Sequence, residues 1–418
     1  MPDVTVDVVV QIAGEDVPAG RLWSHRRRRD ESATFAYAPE YLARQDSYEL
    51  DPRLPKRTGQ QHTAEGQALF GAFSDAAPDG WGRRLIRRRE IHHAHEDNSA
   101  ERDIAEIDYL LGVGDRLRQG ALRFRDPADG TYLADERAGV PHLLDLRRLL
   151  DAAEQLEREQ ESDEDLRLLL EGGSSLGGAR PKAHVIDEHG HLGIAKFPAP
   201  ETDKWDVIRW EAVALMLARD AGMNVPEFRL HEVAARPVLI VRRFDRDDAG
   251  GRVGYVSAMT MLESSDGTGG SYLEIAETIE EHSPTATADL QELWRRIVFS
   301  RLVSNTDDHL RNHGFLRAST AGWSLSPAFD LNPNPQAGRA FSTIIDERGG
   351  ANELDAALEL ADVFRLTGEQ ASTVLGEVER ATSRWQIVAG SLGLTHAAIQ
   401  RMSHAFEGDE AAVARRSA

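Results

Sequence analysis

The apolar positions of the first forty residues follow the two-residue period of β-strands. Alternation begins at Val4 and passes into a β-branched run that ends at Val10, and Gly14, Pro18 and Gly20 punctuate the residues that follow. Runs of this kind, separated by turn residues, are typical of short strands. We therefore expect a β-rich amino-terminal part.

A basic helix is predicted to start at about Trp81, in the stretch ALFGAFSDAAPDGWGRRLIRRRE. It carries five arginines, at Arg83, Arg84, Arg87, Arg88 and Arg89. Two interpretations stay open, a solvated helix face or a contact surface for an acidic partner or a phosphate. A histidine tract follows, formed by His92, His93 and His95. No carboxylates are spaced to complete a metal cage around it, which favours a solvated polar tract over a metal site.

The middle of the chain alternates between helical and strand periods. Residues 143–170 predict one helix with the acidic run EREQESDED at its centre, and we place a domain boundary there. After the glycine-rich segment EGGSSLGGARPK, two apolar runs at 183–186 and 192–197 predict a hairpin. The stretch 206–221 predicts a helix that Gly222 ends at the C′ position, and RPVLIVRRF predicts a buried strand. Beyond Ser264 the pattern is mainly helical.

The glycine-rich segment has two interpretations. Backbone N–H groups of such a turn can converge on phosphate oxygens, because no side chain blocks the approach. However, GGSSLGGARPK matches neither common phosphate-loop pattern, so a structural turn also stays open. Lys182 closes the segment, and Lys196 ends the second hairpin strand between Ala195 and Phe197, which we expect to pack inward. If the ammonium of Lys196 is held inside the protein, it needs a carboxylate partner.

The helix at 206–221 can provide that carboxylate. Its apolar stripe is formed by Val207, Ala214, Leu215 and Ala218. Glu211 lies on the same stripe. We predict an ion pair between Lys196 and Glu211, as in phosphotransferases that direct a strand lysine at the phosphates of a nucleotide. The alternative is an incidental glutamate at a helix edge.

The stretch SNTDDHLRNHGFL, from Ser304 to Leu316, concentrates polar residues after a predicted apolar helix. Asp307 and Asn312 are five residues apart, which is the separation of the catalytic aspartate and the metal-binding asparagine of protein kinases. A predicted hairpin and then Asp330 repeat the kinase order. We predict that Asn312 and Asp330 hold Mg²⁺ through oxygen atoms and that Asp307 orients the hydroxyl to be phosphorylated, with Asp308 as the alternative base.

Two further side chains of this stretch have open roles. His309 and His313 are four residues apart and would suit zinc, but no third ligand lies at a suitable spacing. Arg311 either faces the phosphates or pairs with Asp308.

Composition limits the partners. Seventy acidic against 49 basic residues give a net charge of −21, which argues against unaided binding to nucleic acid phosphates. The chain has no cysteine, which excludes disulfides and thiolate chemistry. Its start resembles no signal peptide, and no apolar run is long enough to span a membrane, so we expect a cytoplasmic protein without membrane contact.

Taken together, these stretches resemble the HipA family, serine/threonine kinases that act as toxins in bacterial toxin–antitoxin modules. The resemblance covers nearly the whole chain and is carried by PDGWGR, SSLGGARPK, the lysine at 196, RFDR at 243–246, the loop at 307–312 and the aspartate at 330. It implies an α+β, two-lobed, protein-kinase-like fold with a β-rich amino-terminal subdomain and an all-helical carboxy-terminal lobe. The implied domains are 1–140, 141–250 and 251–418.

The resemblance also implies roles for individual residues. Catalytic roles fall on Asp307, His309, Asn312 and Lys196, and the metal ligands are Asn312 and Asp330. Nucleotide contacts fall on Gly177, Gly178, Ala179, Arg180, Lys182, Lys196, Glu211, Arg243, Phe244, His309, Arg311, Asn312 and Asp330. Autophosphorylation, which in the family ejects the phosphate loop, falls on Ser175 or the adjacent Ser174. The chain departs from the pattern with Arg311 in place of a lysine and Arg242 in place of an acidic residue.

The implied cofactors are ATP and Mg²⁺. The implied partners are a HipB-like helix-turn-helix antitoxin, through which alone the chain would meet DNA, and a protein substrate, which in better-known members is an aminoacyl-tRNA synthetase. A homodimer within the antitoxin complex is a further expectation. Two other functions stay open: a small-molecule phosphotransferase of the same fold, and a non-catalytic corepressor that acts with an antitoxin on DNA.

Overall fold

The computed structural model describes residues 4–27, 30–78, 80–134, 140–173, 178–265, 267, 269–336, 338, 340–345, 353–408, 410 and 413–414. The chain divides into two compact units. The first unit is Met1–Thr202 with His231–Val256, and the second is Asp203–Leu230 with Ser257–Ala418. None of the helices in the described ranges is long and apolar enough to cross a membrane. The division into three domains stays a prediction.

The amino-terminal part of the first unit is a five-stranded antiparallel sheet, which confirms its predicted β-rich character. Its strands are β1 (Val4–Ile12), β2 (Glu15–Arg27), β3 (Asp30–Tyr37), β4 (Gln61–His62) and β5 (Leu122–Arg125). They lie in the order β4-β3-β2-β1-β5. Alternation puts Val8, Leu22, Phe35 and Phe124 into the core with no exposed surface. The first three strands are longer than the short strands we expected, because Pro18 and Gly20 lie within β2 instead of ending it.

The helices of the first unit are α1 (Pro39–Ala43), α2 (Gly71–Asp75), α3 (Gly80–Glu96), α4 (Glu106–Gly112), α5 (Leu146–Glu157) and α6 (Asp163–Glu171). Short 3-10 turns cover Asp115–Leu117 and Leu143–Asp145. The basic helix near Trp81 is confirmed as α3. The single helix predicted over 143–170 is wrong, because Glu159 takes a positive φ of 56° after α5 and Ser162 caps a new helix by accepting a hydrogen bond from the Asp165 N–H at 3.2 Å.

A second sheet of the first unit contains β6 (Lys182–Ile186), β7 (Leu192–Lys196), β8 (Phe228–Val233) and β9 (Arg236–Arg242), in the order β6-β7-β9-β8. The predicted hairpin is confirmed as β6 and β7, and the strand predicted from RPVLIVRRF is confirmed as β9. One face of the hairpin packs against α3, α5 and α6 in a buried cluster. That cluster includes Trp81, Leu149, Leu169, Ala183, Val185, Ala195 and Phe197. The other face carries the polar side chains described below.

The second unit is mostly helical. Its helices are α7 (Val207–Asp220), α8 (Ala258–Met261), α9 (Tyr272–His282), α10 (Ala286–Leu302), α11 (Glu353–Glu359), α12 (Gly368–Thr382), α13 (Trp385–Ser391), α14 (His396–Arg401) and α15 (Ser403–Phe406). The chain leaves the first unit in β10 (Gly254–Ser257). Two small strand pairs follow, β11 (Gly270–Ser271) with β14 (Thr343–Ile344) and β12 (Gly314–Ser319) with β13 (Gly322–Leu325).

The helices that bear on the site were predicted well. The helix expected at 206–221 is confirmed as α7, and Gly222 follows its end with φ of 78°. α10 buries Leu293, Trp294 and Ile297 completely, so it delivers the polar loop 304–313 from a rigid scaffold. The hairpin predicted after that loop is confirmed as β12 and β13.

Candidate active site

Two lysines lie together on one face of the β6–β7 hairpin. Lys182 and Lys196 are direct cross-strand partners, so their side chains project from the same face of the sheet. Lys182 is buried and Lys196 is half-buried. The flanking Ala195 and Phe197 are fully buried on the opposite face, as predicted. Two ammonium groups on one face of the sheet can contact the same anionic ligand.

The amino-terminal end of α3 holds the last part of the glycine-rich segment. The Trp81 backbone N–H donates to the carbonyl oxygen of Gly178 at 3.2 Å, and its indole Nε1–H donates to the carbonyl oxygen of Lys182 at 2.8 Å. Gly178 has φ of 92°, and a Cβ atom there would lie 2.8 Å from Nζ of Lys182. The positive φ favours glycine at 178, and the absence of a side chain there leaves room for the Lys182 ammonium.

The beginning of the same segment packs on the polar face of β6. A Cβ atom on Gly173 would lie 2.5 Å from Cδ1 of Leu117 and 2.6 Å from Nδ1 of His184. The carbonyl oxygen of Gly172 accepts a hydrogen bond from the backbone N–H of His184 at 2.5 Å. Both ends of the segment are thus fixed to the first unit. Ser174, Ser175 and Gly177 lie outside the described residues, so their predicted roles stay predictions.

Other predicted nucleotide contacts lie near these anchors. Ala179 and Arg180 are exposed between Gly178 and β6. Phe244 is half-buried and its ring lies 6.4 Å from the ring of Tyr255. Arg242, the departure from the family pattern, forms an ion pair with Asp248. Their contacts with a nucleotide stay predictions.

Arg243 is buried in a polar network of the first unit. Its Nε donates to Asp245 at 2.8 Å, and its Nη1 donates to the carbonyl oxygen of Leu117 at 2.5 Å and lies 2.7 Å from Nε2 of His184. Asp245 also accepts from the backbone N–H of Gly120 at 2.7 Å. Burial raises the pKa of Asp245, but the positive charges of Arg243 and Arg246 outweigh it and hold the pKa below its usual value. The guanidinium of Arg243 is engaged in this network. The nucleotide contact expected of Arg243 stays a prediction.

The sequence analysis did not single out His184. Its signal was the two-residue spacing from Lys182, which puts both side chains on one face of β6. Its partner Arg243 is more than fifty residues away along the chain, so that contact had no local signal.

The arginines of α3 take part in ion pairs within the first unit. Arg83 donates to Glu106 through two nitrogens at 2.6 Å each, and Arg88 pairs with Glu161 at 2.9 Å. Arg84 pairs with Glu157 at 2.5 Å. These three arginines thus pair with acidic residues of the same chain, and both interpretations of the basic run stay open. Across the described ranges there is no group of three histidine, cysteine, aspartate or glutamate residues that could hold a metal, and this includes the histidine tract.

The polar loop after α10 gives its two adjacent aspartates different surroundings. Asp307 is exposed, whereas Asp308 is only 4% exposed. Asp308 accepts hydrogen bonds from the hydroxyl groups of Tyr272 and Ser300, the latter at 3.2 Å, and lies 3.2 Å from Nε2 of His313. Arg311, which the sequence offered as a possible partner of Asp308, is not one of these three residues.

Electrostatics fix the charge state of this buried cluster. Burial raises the pKa of Asp308, but the neighbouring imidazole of His313 and the hydrogen bond from Tyr272 outweigh it and lower the pKa to about 2. Burial and the charge of Asp308 raise the pKa of Tyr272, so its hydroxyl stays protonated and can donate. Asp308 is therefore an ionised structural group that shapes the loop.

The remaining loop residues are tied to Asp307. The Asn312 side-chain N–H donates to the carbonyl oxygen of Asp307 at 3.1 Å, and its backbone N–H donates to the carbonyl oxygen of His309 at 2.8 Å. The amide oxygen of Asn312 is not used in either bond. The His309 side chain is exposed and Arg311 is half-buried, and the predicted roles of both stay predictions.

Asp330 is linked to the same loop through two asparagines. The Asn332 side-chain N–H donates to Oδ1 of Asp330 at 3.3 Å, and its backbone N–H donates to Oδ1 of Asn305 at 3.0 Å. Asp330 itself has φ of 59°, a strained conformation that recurs at functional sites when the surroundings enforce it. Asp330 is thus hydrogen-bonded through Asn332 to Asn305, at the start of the loop that carries Asp307 and Asn312.

Glu211 is 3% exposed on α7, which confirms its predicted place on the buried stripe. The four apolar residues of that stripe are also buried. Glu211 and Lys196 belong to different units, and their ion pair stays a prediction.

Comparison with known proteins decides the family. The HipA-like C-terminal domain matches residues 174–385, and the HipA N-terminal domain matches residues 10–124. The first match alone spans just over half of the chain. The chain belongs to the HipA family.

Relatives of this HipA-family chain are named as kinases. A Haemophilus influenzae protein named "Putative kinase" is 26% identical over 189 residues, which cover 39% of this chain and 54% of the relative. A Sinorhizobium fredii protein with the same type of name is 24% identical over 327 residues, 71% of each chain. The match thus spans about half the length of the first relative.

A solved structure shares the fold of this HipA-family chain. A chain of the Shewanella oneidensis toxin–antitoxin complex of HipA, HipB and operator DNA is 15% identical, with a TM-score of 0.64, and the match covers 98% of this chain and 97% of that one. At this identity the likeness shows the fold alone. The predicted α+β, HipA-like fold class is confirmed.

Proposed function

We propose that this HipA-family chain is a protein serine/threonine kinase that uses ATP and Mg²⁺. The kinase names of the Haemophilus influenzae and Sinorhizobium fredii relatives support this class of activity. In the proposal Lys182 and Lys196 supply cationic groups for the nucleotide phosphates. Asp307 supplies the base, and Asn312 and Asp330 supply the metal ligands.

The observation that carries the proposal is the lysine pair on the β6–β7 hairpin. Lys182 and Lys196 are directly opposite each other, and the glycine-rich segment is anchored beside them by Trp81. Two adjacent ammonium groups and a nearby glycine turn match the chemistry of a polyphosphate. Glu211 would pair with Lys196 and direct it at the phosphates, as predicted from the sequence.

Asp307 is the proposed base. Its exposed carboxylate is free of the buried contacts that occupy Asp308, and its backbone is fixed by Asn312. It would accept the hydrogen bond of the substrate hydroxyl and take its proton as that oxygen bonds to the γ-phosphorus and the bond to the leaving ADP breaks. His309 and Arg311, on the same loop, would contact the nucleotide.

The donor atoms present fit magnesium. Asp330 and Asn312 offer a carboxylate and an amide oxygen, which are hard ligands, and Mg²⁺ commonly takes only one or two carboxylates in addition to phosphates and water. When bound, the ion would neutralise charge on the transferred phosphoryl group.

Regulation and partners are part of the same proposal. Ser175, or the adjacent Ser174, would be autophosphorylated, and the added negative charge would repel ATP from the segment. A HipB-like antitoxin would bind the chain and connect it to DNA, in line with the complex of HipA, HipB and operator DNA from Shewanella oneidensis. The protein substrate would be another cellular protein, with an aminoacyl-tRNA synthetase as the first candidate.

The test uses Lys196→Met, with Lys204→Met as a control because Lys204 is an exposed lysine. We expect wild type and Lys204→Met to transfer labelled phosphate from ATP to protein in the presence of Mg²⁺. We expect Lys196→Met to lose transfer and to bind a fluorescent ATP analogue about tenfold more weakly, which is about 1.4 kcal/mol. Transfer only to small alcohols would favour the small-molecule phosphotransferase. Wild type that transfers no phosphate with any divalent metal would overturn the proposal.

A further inference from the structure

His184 lies on β6 between the lysine pair and the start of the glycine-rich segment. It is fully buried, and both ring nitrogens have polar partners. Nδ1 lies 3.0 Å from the carbonyl oxygen of Gly172, and Nε2 lies 2.7 Å from Nη1 of Arg243.

The chemistry of these partners fixes the state of the ring. A guanidinium only donates hydrogen bonds, so Nε2 must be the unprotonated acceptor, and a carbonyl oxygen only accepts, so Nδ1 must carry the proton. His184 is thus a neutral imidazole with its proton on Nδ1. Burial, reinforced by the positive charge of Arg243, lowers the pKa of His184 well below its usual value, which agrees with this state.

The two bonds connect the segment to the network of Arg243. Gly172 receives both the ring N–H and the backbone N–H of His184, so its carbonyl oxygen is held at two points. Arg243 is itself held by Asp245 and by the carbonyl oxygen of Leu117, so it cannot move without breaking several bonds. Gly173 lets the backbone approach the ring closely, since a Cβ atom there would lie 2.6 Å from Nδ1 of His184.

We propose that His184 is a positioning residue that fixes the first end of the phosphate-binding segment beside the lysine pair. It does so by donating from Nδ1 to Gly172 while Arg243 locks its ring orientation through Nε2. This inference rests on the proposed function in one respect, that the segment binds nucleotide. A segment held in its binding conformation before the ligand arrives loses less conformational entropy on binding, and its affinity is higher.

Two variants separate the two bonds of the ring. In His184→Asn the side-chain amide can place an N–H where Nδ1–H lies, but it cannot reach Arg243. In His184→Gln the amide oxygen can accept from Arg243, but the donor to Gly172 is lost. Each variant loses one buried hydrogen bond, so we expect similar losses of thermal stability, while only His184→Gln loses the side-chain bond to Gly172 and loosens this end of the segment, which keeps the backbone bond from the His184 N–H.

The experiment measures hydrogen–deuterium exchange of peptides covering 172–181 together with the Kd of a fluorescent ATP analogue. We expect His184→Gln to exchange faster in these peptides and to bind the analogue about tenfold more weakly, with transfer at saturating ATP reduced much less. We expect His184→Asn to stay within about twofold of wild type for both readouts. Equal behaviour of the two variants, or the reverse order, would overturn the proposal.

Two outcomes need separate readouts. If wild type binds no nucleotide, the proposed function fails, and the exchange rates alone still decide whether His184 holds the segment. If the variants do not fold, nitrogen NMR of wild type labelled on its histidines decides the matter. We expect one ring that does not titrate between about pH 5.5 and 8.5 and that has a protonated Nδ1 and an unprotonated Nε2. The absence of any such ring would refute the assignment.

Discussion

Asp307 and Asp308 show how adjacent identical residues can have different tasks. The carboxylate of Asp308 is enclosed by Tyr272, Ser300 and His313, whereas the side chain of Asp307 points out of the folded unit. A base must reach its substrate, and a buried ionised carboxylate must keep its partners. The surroundings therefore assign the proposed chemistry to Asp307 and the shaping of the loop to Asp308.

Substitution of each aspartate by asparagine should separate these tasks. We expect Asp308→Asn to lower the free energy of unfolding by about 3 kcal/mol, because a buried charge with three polar partners is lost. We expect Asp307→Asn to change it by less than about 0.5 kcal/mol, since its side chain is exposed. Urea denaturation of both variants and wild type gives the comparison. Equal losses in the two variants would contradict the assignment.

The pH dependence of stability gives a second test of Asp308. Its pKa in the folded chain is lowered to about 2, below the value of about 3.9 for an unfolded aspartate, so the folded state binds fewer protons over this interval. The stabilisation is fully present above about pH 5 and is lost as the pH falls towards 2. We therefore expect the difference in unfolding free energy between wild type and Asp308→Asn to shrink as the pH is lowered from about 7 to 3.5. A difference that stays constant over this range would count against the buried charge.

At the scale of elements, the β6–β7 hairpin and α3 together hold the proposed phosphate-binding residues. The hairpin presents the two lysines, and the start of α3 fixes Gly178 and Lys182 through the backbone and indole N–H groups of Trp81. Trp81 of the stretch PDGWGR thus contacts the glycine-rich segment, although about ninety residues separate the two stretches in the chain. This contact accounts for the tryptophan at the start of α3, and a Cβ atom on the neighbouring Gly80 would lie 3.3 Å from Cα of Ala179.

We expect Trp81→Phe to loosen the end of the glycine-rich segment while it keeps most of the packing. The lost indole donor should cost about 1 to 2 kcal/mol of stability. It should also weaken ATP-analogue binding several-fold, measured by fluorescence titration. Trp385→Phe is a suitable control because its ring packs on Trp210 and Phe406 in the second unit. A control variant that weakens nucleotide binding as much as Trp81→Phe would refute this role.

Local patterns predicted the elements that carry the site. The β6–β7 hairpin, α7 and the hairpin after the polar loop all follow from the period of apolar residues and from turn residues. The break between α5 and α6 was not predicted, because the leucines keep a helical spacing on both sides of the acidic run. The capping box of Ser162 and Asp165 was the available signal.

Contacts between distant segments could not be predicted from local patterns. Residue spacing marked Asn312 and Asp330 and favoured Asp307 as the base, but it gave no sign of the buried contacts of Asp308. Those contacts depend on Tyr272 and Ser300, which lie on α9 and α10 and meet Asp308 only in the folded unit. The same holds for His184, because its partner Gly172 precedes strand β6 in the chain and its partner Arg243 follows it.

At the scale of the molecule, charge shapes the choice of partners. A net charge of −21 disfavours direct contact with DNA and favours a basic protein partner. A helix-turn-helix protein that binds operator DNA carries basic groups of this kind. The net negative charge of the chain thus suits the basic antitoxin that we propose as its partner.

We expect the chain alone to leave a labelled operator duplex unbound at physiological salt, and to bind it only together with the antitoxin. Fluorescence anisotropy of a duplex from the chain's own locus measures both conditions. The complex of the two proteins should weaken as salt rises, because screening reduces the attraction between opposite charges. Tight binding of the duplex by the chain alone would contradict this expectation.

The measurement that tests the central claim most directly is transfer of the labelled γ-phosphate of ATP to protein by wild type, Asp307→Asn and Asp362→Asn. Asp362 is an exposed aspartate of the same unit and serves as the matched control. The account predicts Mg²⁺-dependent labelling by wild type and Asp362→Asn, and a loss of at least about a hundredfold in Asp307→Asn. Labelling by Asp307→Asn at the wild-type rate, or no labelling by wild type at all, would contradict it.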